Sequence, residues 1–204
     1  MKPSVVSITV PSLTNFRDLW AYDYVLDHLR DDDVFEFAAA GLTAADVKHM
    51  RNVLLASNAY YFSIGDEPVF FWGIVEHRGV GQLWGFGTPK TRRIIPAATR
   101  FGQRFWLPEA FAKKGLRRIE VRVPLKSHNS VSWLQRLGMT VECWDVRGHS
   151  VNGEQCVQLA YTTREYTRDY VHVQIEQRRH SGSGDSSPGE DIGGNSERYG
   201  ERAA

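Results

Sequence analysis

The chain has 204 residues, 42% of them hydrophobic, and a formal net charge of +1. That length supports one hydrophobic core of about 160 residues, and the balanced charge argues against nucleic acid or an anionic membrane as a partner. No apolar run approaches the ~18 residues of a membrane span, and the N-terminus lacks a signal-peptide pattern, so the cytoplasm is the expected compartment.

Residues 4–10 alternate as a first strand, and Phe16, Leu19, Trp20, Tyr24, Leu26 and Leu29 form an approximate helical stripe. Residues 30–37, Arg-Asp-Asp-Asp-Val-Phe-Glu-Phe, read as an acidic connection, with Asp31, Asp32 and Asp33 facing solvent. Thr43-Ala-Ala-Asp46 has capping-box spacing and opens a helix reaching Leu55. Both helices are expected on one face of a sheet. Residues 59–64, 69–76 and 82–87 are rich in aromatic and β-branched side chains and read as three strands. The turns between them, at 65–68 and 78–81, are tight enough to make antiparallel neighbours. From Ile94 to Lys114 the pattern is helical, kinked or divided at Pro108.

Ile119, Val121 and Val123 mark the next strand, which Pro124 ends, and a short helix over 129–137 stops at Gly138. Residues 141–146 and 155–161 make a hairpin whose loop contains Asn152-Gly153. A strand, a helix and a strand in one sheet imply a parallel pair with a crossover. The expected class is mixed α/β (α+β), a mostly antiparallel central sheet with helices on both faces. Cys143 and Cys156 fall in the two hairpin strands and read as small, buried, reduced residues, and no Cys/His spacing suggests a metal. The domain is expected over 1–163, with an extension over 164–180 whose residues 170–176 alternate as a strand would. The Gly-, Ser- and acid-rich composition of 181–204 predicts a disordered tail.

The element order from 60 to 159, with Leu116-Arg-Arg-Ile-Glu-Val-Arg-Val and Ser127-His-Asn-Ser-Val-Ser-Trp-Leu-Gln-Arg-Leu-Gly-Met139 at its centre, resembles the second half of the GNAT N-acetyltransferase fold. The resemblance implies acetyl-CoA as cofactor. Its pyrophosphate needs backbone N–H donors at a helix start, helped by cations, and its peptide-like pantetheine arm pairs with a strand edge beside a splayed sheet. Lys90, Arg92 and Arg93 sit where the phosphates would arrive, and Phe86, Gly87, Thr91, Arg92, Arg93, Ala97 and Asn129 are the candidate cofactor-binding residues. The family's Arg/Gln-x-x-Gly-x-Gly/Ala loop maps onto Arg92-Arg-Ile-Ile-Pro-Ala97, where Ile95 replaces the central glycine and Pro96 removes an N–H.

A family tyrosine that protonates the departing thiolate falls at Leu134, which has no proton to give. His128, Asn129 or Ser130 could organise a substitute through water, or could simply cap the helix; Ser127 stands where the family carries an asparagine. Glu76 and His77, at the end of the second middle strand, are the candidate bases for an attacking amine, with Glu36 as a second carboxylate. This reading expects a cleft between the strands at Gly87 and Val121, with a strand N–H near Phe86 or Gly87 polarising the thioester carbonyl.

Four further segments are similar in order and spacing to the acetyltransferase-like internal virion and morphogenesis proteins of short-tailed bacteriophages. They are residues 30–37, Ala38-Ala-Ala-Gly41, Gly81-Gln-Leu-Trp-Gly-Phe-Gly-Thr88 and Val131-Ser-Trp-Leu-Gln-Arg-Leu-Gly138. Three readings follow. The first is transfer of an acetyl group to a small-molecule or protein amine. The second is a catalytically silent phage protein, in the host cytoplasm or the virion, that contacts virion proteins through its C-terminal extension. The third is a nucleic-acid module using Arg92, Arg93, Arg100, Arg104, Arg117, Arg118 and Arg122 near Phe101, Phe105 and Trp106. A pantetheine groove filled by the chain's own side chains would count against the first.

Overall fold

The structure is a computed structural model that describes residues 5–162. The expected strand at 170–176 and the expected disordered tail lie outside them. Seven strands form one mixed sheet in the order β1-β2-β3-β4-β5-β7-β6. They are β1 (Val6–Thr9), β2 (Asn58–Ile64), β3 (Glu67–His77), β4 (Val80–Gly87), β5 (Arg118–Pro124), β6 (Thr140–Cys143) and β7 (Cys156–Thr162). All neighbouring pairs are antiparallel except β4 and β5. That parallel pair is joined by α5 (Ile95–Phe101), a π-helical turn (Gly102–Trp106) and α6 (Leu107–Lys114). A second crossover, α7 (His128–Arg136), carries the chain from β5 to β6, and β7 then returns between them.

On one face the sheet packs against α5, α6 and α7. On the other it packs against α1 (Phe16–Asp27), α3 (Ala44–His49) and α4 (Arg51–Ala56). The expected capping box at Thr43 and Asp46 is present, but the helix it opens breaks at Met50 into two. Residues 30–37 are not a connection. They begin α2 (Asp31–Ala39), whose first turn carries all three aspartates at the positive end of the helix dipole. The long helical stretch is divided close to Pro108, which stands in the first turn of α6 directly after the π-helical turn. The missing N–H and the bulk of its ring are absorbed one turn earlier, by the wider π-helical turn.

Strand register explains the aromatic-and-glycine composition of the middle strands. Gly73 faces Trp84 across β3 and β4, and Trp72 faces Gly85. A Cβ on Gly73 would stand 2.5 Å from the Trp84 ring, so only glycine lets the indole lie across the strand. On the α1 side, Tyr61, Phe71 and Phe86 share one cross-strand row and stack at centroid distances of 4.8 and 6.0 Å. On the opposite side, Trp72 stacks between Trp106 at 4.2 Å and Trp133 at 5.5 Å. Cys156 is buried and Cys143 is exposed, against the expectation that both are buried; both thiols are free. A four-residue edge strand leaves Cys143 at its end, in solvent.

Trp72 is fully buried at the centre of the three-indole stack. Trp72→Ala should therefore destabilise the fold by about 3–5 kcal/mol, read as a lowered urea midpoint with the transition still cooperative.

Candidate functional site

β4 and β5 are paired only at their starts, Val80–Gln82 against Arg118–Glu120, and then diverge. This is the splay expected between Gly87 and Val121. Past Gln82, the β4 edge that faces β5 presents backbone groups with no strand to receive them, and a buried edge of that kind must be satisfied some other way.

At Gly87 the chain satisfies the edge itself. The Arg30 backbone N–H donates to the Gly87 carbonyl at 3.0 Å, and the Gly87 N–H donates to Asp33 Oδ2 at 2.7 Å. Arg30 grips the same carboxylate with Nε at 2.8 Å and Nη2 at 2.7 Å. Asp33 is only 1% exposed. Burial pushes its carboxyl above the usual range, while Arg30 and the Gly87 N–H pull it back. On the face of Gly87 where a side chain would begin, the Thr91 hydroxyl occupies the space and donates to the Val69 carbonyl at 2.8 Å.

Deeper in the splay a cavity of about 50 Å³ remains, lined by Leu83, Gly85, Val121, Val123, Trp133 and Leu134. Glu36 closes it from α2 and accepts a 2.6 Å hydrogen bond from the Ser130 hydroxyl of α7. Burial raises the Glu36 carboxyl above its ordinary value, and the Ser130 bond only partly opposes that. Outside the splay, Arg92, Ile95, Asn129, Trp133 and Arg136 line a surface groove of about 550 Å³, with Asp31 and Asp32 on its far side.

These elements bring together some of the expected residues and separate others. Arg92 and Asn129 share the groove, and Asn129 donates to Asp32 at 3.3 Å. Arg93 is exposed and Ala97 half-buried in α5. Thr91 is buried and bonded inward, away from any phosphate. Phe86 is buried in the α1-side core, and its backbone, out of phase with that of Gly87, turns to β3. Neither the Phe86 nor the Gly87 N–H is available to a thioester carbonyl. Glu76 and His77 are exposed and pair with Gly81 and Val80, at the closed end of the splay. Six residues of strand, about 20 Å, separate Gly81 from Gly87, so these two candidates do not border the cleft. Leu134 lies in the core beside the small cavity, and Ser127 precedes α7 without a side-chain capping bond.

No protein-family model matches the sequence, and no curated protein matches it. Solved structures do. A GNAT-family acetyltransferase from Bacillus anthracis superposes with a TM-score of 0.55 at 16% identity, over 79% of this chain and 96% of that one. The fold is the GNAT acetyltransferase fold. Spermidine N-acetyltransferase from Vibrio cholerae, solved with CoA and spermine, shares this GNAT fold with a TM-score of 0.55 at 11% identity, over 79% of this chain and 98% of that one. Aminoglycoside acetyltransferase AAC(6')-Ib, solved with coenzyme A and kanamycin, gives 0.54 at 15% identity, over 80% and 98%. At Gly87 this chain offers an acyl-CoA no free backbone group. The β4 donor and acceptor at Gly87 are both consumed by α2, and about 50 Å³ of space lies behind them.

Asp33 was missed in the sequence because a three-acid run looks solvated. Reading those acids as a first helical turn would have placed Asp33, Glu36 and Phe37 on one inward face, at spacings of three and four.

Since the folded-state pKa of Glu36 is raised, its stabilising protonated form is fully present below the ordinary value of 4.5 and is lost as pH rises through the raised value. Glu36→Gln, which still accepts from Ser130, should be more stable than the parent at neutral pH. That advantage should vanish below the ordinary carboxyl pKa, as read from urea midpoints across the range.

Proposed function

We propose that this chain is a tailed-phage morphogenesis or internal virion protein that uses the GNAT fold for assembly contacts and does not transfer acetyl groups. The observation that carries this reading is the occupation of Gly87: both of its cleft-facing backbone groups are bonded to Arg30 and Asp33. Two sequence features agree with it, Ile95 in the loop and Leu134 beside the cavity. The phage assignment is supported by the order of the four segments described above, and the residues beyond 162 supply the proposed contact with virion proteins.

One observation favours the alternative, N-acetyl transfer from acetyl-CoA to a small-molecule or protein amine. Glu36 is a carboxyl of raised pKa at the inner end of the splay, where a proton acceptor would be useful. That reading requires the Arg30–Asp33 segment to leave the β4 edge.

Calorimetric titration of the full chain with acetyl-CoA, and with desulfo-CoA as the control, separates the two. The expected result is no saturable heat up to millimolar cofactor. Saturable micromolar binding, weakened by Arg92→Ala and Arg93→Ala, would overturn the closed-groove reading and restore the transferase.

A further inference from the structure

The net charge of +1 conceals a local run of cations, bordered across the outer groove by Asp31 and Asp32. From Pro89 to Pro108 the chain carries Lys90, Arg92, Arg93, Arg100 and Arg104 and no carboxylate. Lys90 is tied to Glu67. The four arginines are exposed and make no ion pair among the described residues. Arginines elsewhere in the fold behave differently: Arg118 bridges Glu120 and Glu142, and Arg122 contacts Glu120 and Gln158. The seven-arginine face suggested by the sequence therefore divides: Arg118 and Arg122 are engaged by carboxylates, Arg117 donates to the Arg78 carbonyl at the turn before β4, and all three drop out of it.

What remains is contiguous. Buried positions recur every fourth residue along the long helix, at Ile94, Ala98, Gly102, Trp106 and Ala110, which directs Arg100 and Arg104 outward one above the other. Arg136 joins from α7: its carbonyl accepts from the Gln103 side chain at 2.5 Å, and its side chain shares the outer groove with Arg92. Beside Arg104 stands Phe105, 61% exposed and stacked on Phe101 at 6.2 Å. Trp133, half-buried, forms part of the groove wall.

We propose that this face, formed by Arg92, Arg93, Arg100, Arg104 and Arg136 with Phe105, binds single-stranded nucleic acid. Guanidinium forks match phosphate oxygens in geometry as well as charge. An exposed ring among them offers a stacking platform that any unpaired base can use, which is the physical basis of sequence-tolerant single-strand binding. An acidic peptide would use the charge but leave Phe105 without a role. The proposal is independent of whether the acyl-CoA groove is closed.

The test is fluorescence anisotropy of a labelled, mixed-sequence single-stranded oligonucleotide titrated with the full chain at several salt concentrations. With about four phosphates neutralised, affinity should fall roughly 50-fold between 50 and 200 mM salt. Arg100→Gln with Arg104→Gln should make the slope of log affinity against log salt shallower by about 1.4. Phe105→Ala should weaken binding several-fold and leave that slope unchanged. Absence of saturable binding at the lower salt would overturn the proposal. So would binding indifferent to the arginine pair, or equal competition by polyglutamate, which would assign the face to an acidic protein instead.

Discussion

Two strands that begin as a parallel pair and then part leave a row of peptide groups facing an apolar gap. A peptide group left bare in such a place costs more than a typical hydrogen bond contributes when made. In this protein α2 closes the gap at its open end. The Asp33 carboxylate is the part of α2 that makes closure tolerable, because it receives Gly87 and Arg30 together and so leaves neither charge nor peptide unpaired. The same contact fixes where α2 lies, which brings Glu36 over the cavity and within 2.6 Å of Ser130 on α7. Elements from the two sides of the splayed sheet are thus joined through one glycine.

Around that junction the sheet is stiff. Glycines on one strand accept the indoles and rings of the next, so the large side chains interlock across strands as well as stacking along them. The Trp72 and Trp106 indole N–H groups are buried without a hydrogen-bond partner among the described residues. That cost is offset by the area these rings bury and by their mutual stacking. A core of this kind offers little give at Leu83, Gly85 or Val121, and accommodation of a ligand would have to come from α2.

Much of this was legible in the sequence. The alternation of residues 59–64, 69–76 and 82–87, the glycine-punctuated turns and the capping box each express a local rule, and the strand order follows from short connections. The content of the splay was not legible, because it depends on which long-range partner reaches Gly87. Asp33 does so only once residues 31–39 are helical, and the three adjacent carboxylates argue locally for solvent. The misplacement of Glu76 and His77 had a simpler origin. They end their strand, but in a hairpin the end of one strand lies beside the start of the next, and the splay opens at the far end of β4. Net charge is silent for a related reason: a sum over the chain says nothing about where ion pairs cancel.

The π-helical turn at Gly102–Trp106 has a consequence for the outer surface. An ordinary helix advances its buried stripe by three or four residues per turn; here buried positions recur at steps of four from Ile94 to Ala110, with Leu107 buried beside them. The extra arc is what a single inserted residue leaves behind in a helix whose two ends are already anchored, here by Ile94 below and Ala110 above. Loss of one residue from the turn would let it close to an ordinary α-helical turn while the helix beyond keeps its phase, so Trp106 would stay on the buried side and Phe105 on the outer one. The wide turn is therefore a local excess carried between two fixed helical faces, and it can be gained or lost without exchanging which aromatic faces the interior.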